Sequence, residues 1–297
     1  MATQACAPET TPVLDTVAAT RYVLGRRTAS AGYSFYRTPE WGVDEPSAPD
    51  TLAAVESLRI LRTEPPGAEA TVAWLRGLQE DDGSYPTLTI AWAAIRALVL
   101  LGASPARPVG EYLERVSRPV LARRSSADWT SALRDAARVM ELAGLGYAPL
   151  GASGSWSCAE LLGAARDPRG GWASPGADVV STAHALRIAA LAGFDVLEES
   201  GSGRLLGRCE DPRVGVRLSP RSGATSAGAL LAGLEIGRAG RRAPRFPGAV
   251  AASLVLMQRP DGGIGSRHRA ISTLADTWDG LRVMELLDEV QEERWTV

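Results

Sequence analysis

A short turn motif recurs along this chain at nearly constant intervals, and it constrains the fold more than any other feature. Each copy carries Asp with one or two glycines and is followed, after a loop, by an Ala/Leu-rich segment. The glycines of successive copies are 88, 44 and 48 residues apart. The copies lie at residues 79–85, 167–172, 211–215 and 258–264. A period in this range is typical of stacked helical pairs.

The segments between the Gly and Pro residues have a helical composition, because Ala, Leu, Arg and Glu dominate and β-branched runs are rare. Twelve of them form six pairs. The predicted helices are 14–27, 49–61, 68–79, 88–101, 109–123, 127–143, 157–165, 179–192, 202–209, 223–236, 247–258 and 275–289. We therefore predict an all-α fold, an α/α toroid of six helical hairpins (an α6-α6 barrel) around a central apolar cavity. Residues 1–297 form one predicted domain, with a flexible N-terminus over 1–12.

Composition argues against several classes of function. The 32 basic and 34 acidic residues give a net charge of −2 without a basic stripe, so we expect no nucleic-acid partner. The absence of lysine excludes a Schiff base of the pyridoxal type. The most apolar stretch, 90–101, is too short for a transmembrane segment. Cys6, Cys158 and Cys209 are too dispersed for a disulfide framework, which favours a cytoplasmic location.

The second helix of five units aligns on an arginine, and an acid or His often lies three residues earlier. For Glu56 and Asp135 the simplest interpretation is an i,i+3 ion pair. Asp279 lies beside Asp276 and Trp278 in the last unit, where repulsion and apolar surroundings would raise one carboxyl pKa. We therefore predict general-acid catalysis by Asp279, assisted by Asp276. Asp276 also fits a helix N-cap.

Other candidates occupy related positions of the repeat. His184 aligns with Asp279 and is either a structural hydrogen-bonding residue or a group that orients the acid or accepts a proton. Trp92, Trp278 and Trp129 are either core residues or the lining of an aromatic pocket that stabilises a carbocation. The predicted substrate-binding residues are Trp92, Trp129, Trp278, Arg187 and Arg282. The aromatic residues of the long first loop, Tyr33, Phe35 and Trp41, would cap the cavity.

The turn at 79–85, and less completely the one at 258–264, resembles the repeat of protein prenyltransferase β subunits and of squalene–hopene and other class II terpene cyclases. The segment 178–183, Asp-Val-Val-Ser-Thr-Ala, resembles the cyclases' acid motif Asp-x-Asp-Asp-Thr-Ala, and this adds Asp178 to the candidate catalytic residues. The resemblance covers residues 33–287. It implies the α/α toroid and an apolar small-molecule substrate of isoprenoid type.

The departures from these families bear on mechanism. Val180 stands where the cyclases carry their proton-donating Asp and where the prenyltransferases carry a phosphate-binding Arg. The prenyltransferases bind zinc through Asp-x-Cys and Asp-x-x-His, whereas residues 276–279 read Asp-Thr-Trp-Asp, with Asp279 in place of His and no Cys. A thiolate–imidazole zinc site is therefore not implied. We expect a reaction without a metal ion or other cofactor.

Four functions remain open at this point. The leading hypothesis is a metal-independent, terpene cyclase-like isomerase of bacterial specialised metabolism. It would act on an isoprenoid or other apolar polyene by acid-initiated cyclisation or rearrangement. The alternatives are a non-catalytic toroid that binds a ligand or partner, a prenyltransferase β-like subunit, and a carbohydrate-cleaving enzyme with paired carboxylates. The apolar inner helices disfavour the last.

Overall fold

A computed structural model describes residues 13–38, 40, 42–148, 151–195, 201–292 and 295, and twelve helices in it alternate between two layers. The inner helices are α2 (Ala48–Ile60), α4 (Leu88–Leu100), α6 (Trp129–Gly144), α8 (Val179–Leu191), α10 (Ala227–Ala239) and α12 (Leu274–Gln291). The outer helices are α1 (Thr16–Gly25), α3 (Ala68–Arg76), α5 (Gly110–Leu121), α7 (Gly151–Ala165), α9 (Ser202–Cys209) and α11 (Pro247–Met257). Two short antiparallel pairs join β1 (Glu210–Asp211) to β2 (Gly215–Val216) and β3 (Ile264–Gly265) to β4 (Ser272–Thr273).

The inner helices close into a ring. Each packs against the inner helix before it and the one after it, and α12 returns to pack against α2. Each outer helix packs against the inner helix of its own unit. This arrangement confirms the predicted α/α toroid of six hairpins. Because an outer helix returns the chain between successive inner helices, all six inner helices run in the same direction.

The inner helices share one starting signal. The N-cap side chain of each accepts a hydrogen bond from the backbone N–H three residues further on, which satisfies one of the free donors of the first turn. The caps are Ser47, Thr87, Asp128, Asp178, Ser226 and Thr273. The recurrent cap fixes the level at which each inner helix begins, so equivalent residues of neighbouring helices face the interior at similar depth.

The repeated turn joins one outer helix to the next. The amide of Gln79 donates to the carbonyls of Gly83 and Arg107, each at 2.9 Å, and accepts from the Arg107 N–H at 2.8 Å. Gly83 has φ +83°, and a Cβ at this position would lie 2.3 Å from the carbonyl oxygen of Pro108. Glycine is required because the backbone is left-handed and because the next outer helix begins against it.

The last copy of the same turn closes the outer layer. Gln258 donates to the carbonyl of Asp15 and accepts from the Asp15 N–H, both at 2.9 Å. Gly262 has φ +90°, and a Cβ there would lie 2.1 Å from the carbonyl oxygen of Ala18. The sixth unit therefore holds the first helix as the turn at Gln79 holds the next outer helix.

Some predicted boundaries differ from the observed ones. Helix α7 begins at Gly151 rather than at 157, despite the low helix propensity of its glycines. Helix α10 begins at Ala227 rather than at 223, since Ser226 caps it by accepting from the Ala229 N–H. The short strand pairs within the turns were not predicted.

Of the aromatic residues predicted to cap the cavity, Tyr33 is instead fully buried in the core near α2, and Phe35 is exposed. Trp41 and the predicted flexible segment 1–12 lie outside the described residues. Within the described part of the chain, no helix combines the length and the apolar character needed to cross a membrane.

Candidate functional site

Charged side chains from all six inner helices form a continuous chain of ion pairs along the inner wall. In its central part, Arg96 contacts Glu56 at 2.6 Å and Glu141 at 3.0 Å. Arg187 contacts the other oxygen of Glu141 at 3.0 Å and Glu235 at 2.6 Å. The full inner-wall network runs in the order Arg282, Glu285, Arg59, Glu56, Arg96, Glu141, Arg187, Glu235. Each arginine in it alternates with a glutamate, so the network as a whole is neutral.

The network corrects the expectation of a uniformly apolar interior. Its arginines were identified from the repeat, but Glu141, Glu285 and Glu235 were not assigned a role. A signal was present, because Glu141 and Glu285 each lie three residues after an aligned arginine. Glu235 lies in the one inner helix that lacks the arginine. Sequence reasoning considered each helix alone, whereas the charges are balanced between neighbouring helices.

The predicted i,i+3 pairs are present, with a difference in burial. Glu56 contacts Arg59 at 3.1 Å, and Asp135 contacts Arg138 at 3.0 Å. Glu56 is only 5% exposed and also bonds to Arg96 on the next inner helix, so it links two helices. A buried carboxylate of this kind is retained only where charged partners compensate for its lost hydration.

Two tryptophans of the inner wall contact guanidinium groups. The Cζ atom of Arg96 lies 5.5 Å from the ring centroid of Trp92 and 5.8 Å from that of Trp278, and Arg138 lies 4.8 Å from Trp92. Both rings are half-buried. The Nε1 of Trp92 donates to Glu141 at 2.7 Å, whereas the Nε1 of Trp278 is buried and has no partner among the described residues.

Among the carboxyl groups of this region, Asp279 has the most strongly raised pKa. Burial, followed by the negative charges of Asp276 and Glu235, raises its pKa to about 7, although Arg187 acts in the opposite direction. Its carboxylate lies against α10, where a Cβ on Gly228 would be 3.3 Å from Oδ2. The side chain is half-buried and makes no hydrogen bond within the described part of the chain. The predicted rise in a carboxyl pKa is therefore present at Asp279.

Asp276 lies at the start of the same helix. The Thr273 hydroxyl donates to its carboxylate at 2.7 Å, and the backbone N–H of Asp276 donates to the Thr273 hydroxyl at 3.0 Å. Thr273 is therefore the N-cap, and the N-cap alternative for Asp276 is wrong: Asp276 is instead the third residue of the helix. Burial raises the pKa of Asp276 as well, against the effect of the Thr273 hydrogen bond.

His184 lies on α8 among cationic neighbours. Burial, with the charges of Arg187, Arg134 and Arg138, lowers its pKa to about 3, so the imidazole is neutral. The Nδ1 atom is buried and has no hydrogen-bond partner among the described residues. The predicted structural hydrogen bond is therefore missing at this atom.

The remaining candidates have structural contacts. Asp178 caps α8, accepting from the backbone N–H and the hydroxyl of Ser181 at 2.8 and 2.7 Å. Trp129 is buried in the main hydrophobic core. Arg187 and Arg282 are both paired within the inner-wall network. Burial lowers the pKa of Arg187, but Glu235 and Glu141 outweigh this effect and raise it.

The described residues contain no group of three or more His, Cys, Asp or Glu side chains arranged to hold a metal ion. Cys158 and Cys209 are buried free thiols, and burial raises the pKa of each to about 11. Neither is therefore a reactive thiolate near neutral pH. A carboxyl group with a pKa of about 7, such as that of Asp279, is suited to proton transfer near neutral pH.

Comparison with known proteins places the fold. No protein-family profile matches the chain, and no curated protein matches it. Among solved structures it is similar to Candida albicans protein geranylgeranyltransferase-I complexed with GGPP, with a TM-score of 0.63 and 11% sequence identity over 94% of this chain and 93% of that chain. At this identity the likeness establishes the architecture alone: the chain shares an α/α toroid with that protein.

Proposed function

We propose that the toroid binds an isoprenoid or other apolar polyene, and that Asp279 is the general acid that starts a cyclisation or rearrangement. The observation that carries this proposal is the Asp279 carboxyl itself. It lies on the inner wall without a hydrogen-bond partner among the described residues, and burial raises its pKa to about 7. About half of such groups hold a proton at neutral pH, which suits an acid that must donate and be reprotonated.

The proposed chemistry needs no change of oxidation state. The Asp279 O–H bond breaks, and the π electrons of an alkene take the proton to form a C–H bond. A carbocation then remains on the other alkene carbon, and Asp279 becomes a carboxylate. The cation rearranges or is attacked by a second alkene of the same molecule. Loss of a proton from a neighbouring carbon restores a double bond and yields an isomer of the substrate.

Other residues of the wall support this sequence. The rings of Trp92 and Trp278 already contact the Arg96 guanidinium, which shows that these faces accommodate positive charge. The neutral His184 carries an unpartnered Nδ1 that is able to accept the final proton. A carbocation is acidic enough that even an imidazole of low basicity removes its proton. The proton then returns to Asp279 through water.

The test is an Asp279→Asn variant incubated with a panel of polyenes, with products separated by gas chromatography and mass spectrometry. Asn preserves the shape of the side chain but cannot donate the proton, so we expect turnover to fall by at least about 100-fold. An Asp81→Asn variant, which changes a fully exposed side chain, is the matched control. Equal turnover by Asp279→Asn and the wild-type protein would refute the proposal.

A second candidate is a toroid that binds a ligand without transforming it. It is favoured by the inner-wall network, in which every arginine is already paired with a carboxylate and is not free to act on a substrate. Mass spectrometry of molecules that copurify with the protein separates the two candidates. An unchanged apolar compound that persists after long incubation supports binding alone, whereas its isomers support catalysis.

A further inference from the structure

We infer that the ligand has an uncharged end group, such as a hydrocarbon, alcohol or epoxide, and that the interior selects against an isoprenoid diphosphate. This inference rests on the proposed function, because it concerns the same ligand in the same interior. It assigns a substrate class that the likeness of fold leaves open. The charges of the inner wall are balanced by one another, which leaves little positive charge for a ligand.

The arginines of the inner-wall network are not available to an anion. Arg96 and Arg187 each contact two glutamates, and Arg59 contacts Glu56 and Glu285. A diphosphate would have to replace these carboxylates at several guanidinium groups together. The displaced glutamates would then remain in a partly dehydrated interior without partners, which is unfavourable.

Of the two described arginines next to the network, Arg138 is paired with a carboxylate, whereas Arg134 lies at an exposed position without such a partner. Arg138 bonds to Asp135 at 3.0 Å and to the Thr89 hydroxyl at 2.8 Å. Among the described residues near His184, Arg134 is the one arginine without a carboxylate partner. It is exposed, and it bonds to the Ser131 hydroxyl at 3.0 Å. One exposed guanidinium is a weak match for a diphosphate, whose several charges call for several cationic donors.

The excess charge on the wall is negative. Within the described residues Asp276 and Asp279 have no arginine ion-pair partner, and Glu235 lies close enough to raise the pKa of Asp279. A diphosphate placed near them would be repelled, and it would raise the pKa of Asp279 further. An uncharged polyene avoids this repulsion, and its apolar chain benefits from the Trp92 and Trp278 rings.

The experiment measures two dissociation constants by equilibrium dialysis of the full-length protein, one for geranylgeraniol and one for geranylgeranyl diphosphate. The two probes share one apolar chain and differ in the end group. We expect the alcohol to bind at least about tenfold more tightly, which corresponds to about 1.4 kcal/mol. Equal affinity, or tighter binding of the diphosphate, overturns the inference.

A charge variant supplies an independent measurement. Glu285 is half-buried and pairs with Arg282 and Arg59, of which Arg59 keeps Glu56 as a partner. Glu285→Gln frees the Arg282 guanidinium, so we expect diphosphate affinity to rise several-fold while alcohol affinity stays the same. Glu114→Gln, on the outer face of α5, is the control and should change neither constant. If Glu285→Gln leaves the ratio of the alcohol and diphosphate dissociation constants unchanged, this also counts against the inference.

The outcomes separate this inference from the proposed function. If the diphosphate binds more tightly and is converted in a reaction that requires Asp279, the proposed function stands and the inference is wrong. If squalene, the alcohol and the diphosphate all fail to bind, the proposed function fails and the inference fails with it. Preferential binding of the alcohol or of squalene supports both.

Discussion

At the scale of single residues, the group with the largest consequence for function is the Asp279 carboxyl, because burial removes part of its hydration. Asp279 lies next to Trp278 in sequence, its carboxylate faces the backbone of α10 at Gly228, and two further acids lie nearby. A buried carboxyl of this kind is costly to ionise, and proteins retain such groups most often where the protonated form is used. This cost can be measured without knowledge of the substrate.

The first residue-scale prediction concerns stability against pH. The pKa of Asp279 is about 7 in the folded protein against an ordinary value of 3.8, so the folded state binds more protons between these values. The stability that Asp279 contributes is therefore present at about pH 4 and lost as the pH rises towards 7. Asp279→Asn removes the ionisation, so its stability relative to the wild-type protein should increase by at least ~1 kcal/mol between pH 5 and pH 8.

Urea unfolding of both proteins at the two pH values checks this prediction. Asp81→Asn serves as the control, since it makes the same chemical change at a fully exposed side chain. A constant difference between Asp279→Asn and the wild-type protein would show that Asp279 has an ordinary acid strength. The general-acid role would then lose its physical basis.

The second residue-scale prediction concerns Glu141, which contacts more of the inner wall than any other acid described above. It accepts from Arg96, from Arg187 and from the Nε1 of Trp92. Glu141→Gln keeps the shape but leaves two guanidinium groups short of a counter-charge, so we expect a loss of about 2–4 kcal/mol in unfolding free energy. The exposed pair of Glu114 and Arg118 provides the contrast, and Glu114→Gln should cost less than ~0.5 kcal/mol.

Thermal unfolding followed by circular dichroism measures both variants. Equal stability of Glu141→Gln and Glu114→Gln would mean that the inner-wall network contributes no more than a surface ion pair. The network would then no longer explain why its arginines stay paired with glutamates instead of binding an anionic ligand.

At the scale of secondary-structure elements, the turn repeat accounts for the architecture. The turns at Gln79 and Gln258 bond to the segment just before the next outer helix through the Gln side chain. In the turns at Gly170 and Gly215, a glycine with positive φ lies against the next outer helix or the residue before it. The inner helices begin at matched caps, and in five of them the ninth residue after the cap belongs to the inner-wall network: Glu56, Arg96, Arg187, Glu235 and Arg282. The repeat therefore determines which side chains share a level of the wall.

An element-scale prediction tests the turn at the point where the ring closes. Gly262→Ala would place a Cβ 2.1 Å from the Ala18 carbonyl oxygen, at a backbone φ of +90°. At Gly102 φ is +70°, but a Cβ there would meet no atom within 4 Å, so Gly102→Ala measures the cost of the backbone conformation alone. We expect Gly102→Ala to lower the unfolding free energy by about 1–2 kcal/mol, and Gly262→Ala to lower it by clearly more.

The melting temperatures of the two variants give the comparison. If Gly262→Ala lowers the melting temperature no more than Gly102→Ala does, the contact between the last turn and α1 is not required for ring closure. We expect the melting temperature of the Gly262→Ala variant to be lower than that of Gly102→Ala, and α1 to lose its packing.

The sequence predicted the number and pairing of the helices well and the ion pairs of the inner wall less well, for a physical reason. Helix number, pairing and the Asp279 acid follow from local signals: the periodic turn, the glycine stops and the adjacent Asp276. The bonds of Glu141 and Glu235 depend on how neighbouring helices are aligned, which no single segment encodes. Trp129 illustrates the same limit, because its position near an inner helix start fits a core residue and a pocket residue equally.

At the scale of the whole molecule, the toroid combines a closed ring of inner helices with inner-wall side chains that water still reaches. The charged side chains of the wall stay between 15% and 34% exposed at Arg96, Glu141, Arg187 and Glu235, although they lie on the inner layer. Their pairing holds adjacent inner helices in fixed register. Outside this pairing, the buried Nδ1 of His184 and the buried Nε1 of Trp278 have no partner among the described residues.

The most direct test of this account is a crystal structure of the protein grown with geranylgeraniol. The account predicts ligand density inside the ring, with the isoprenoid chain against the rings of Trp92 and Trp278 and an alkene or the hydroxyl within contact of the Asp279 carboxyl. Density bound only to the outer surface, or an interior so filled by the paired arginines and glutamates that no guest fits, would contradict it.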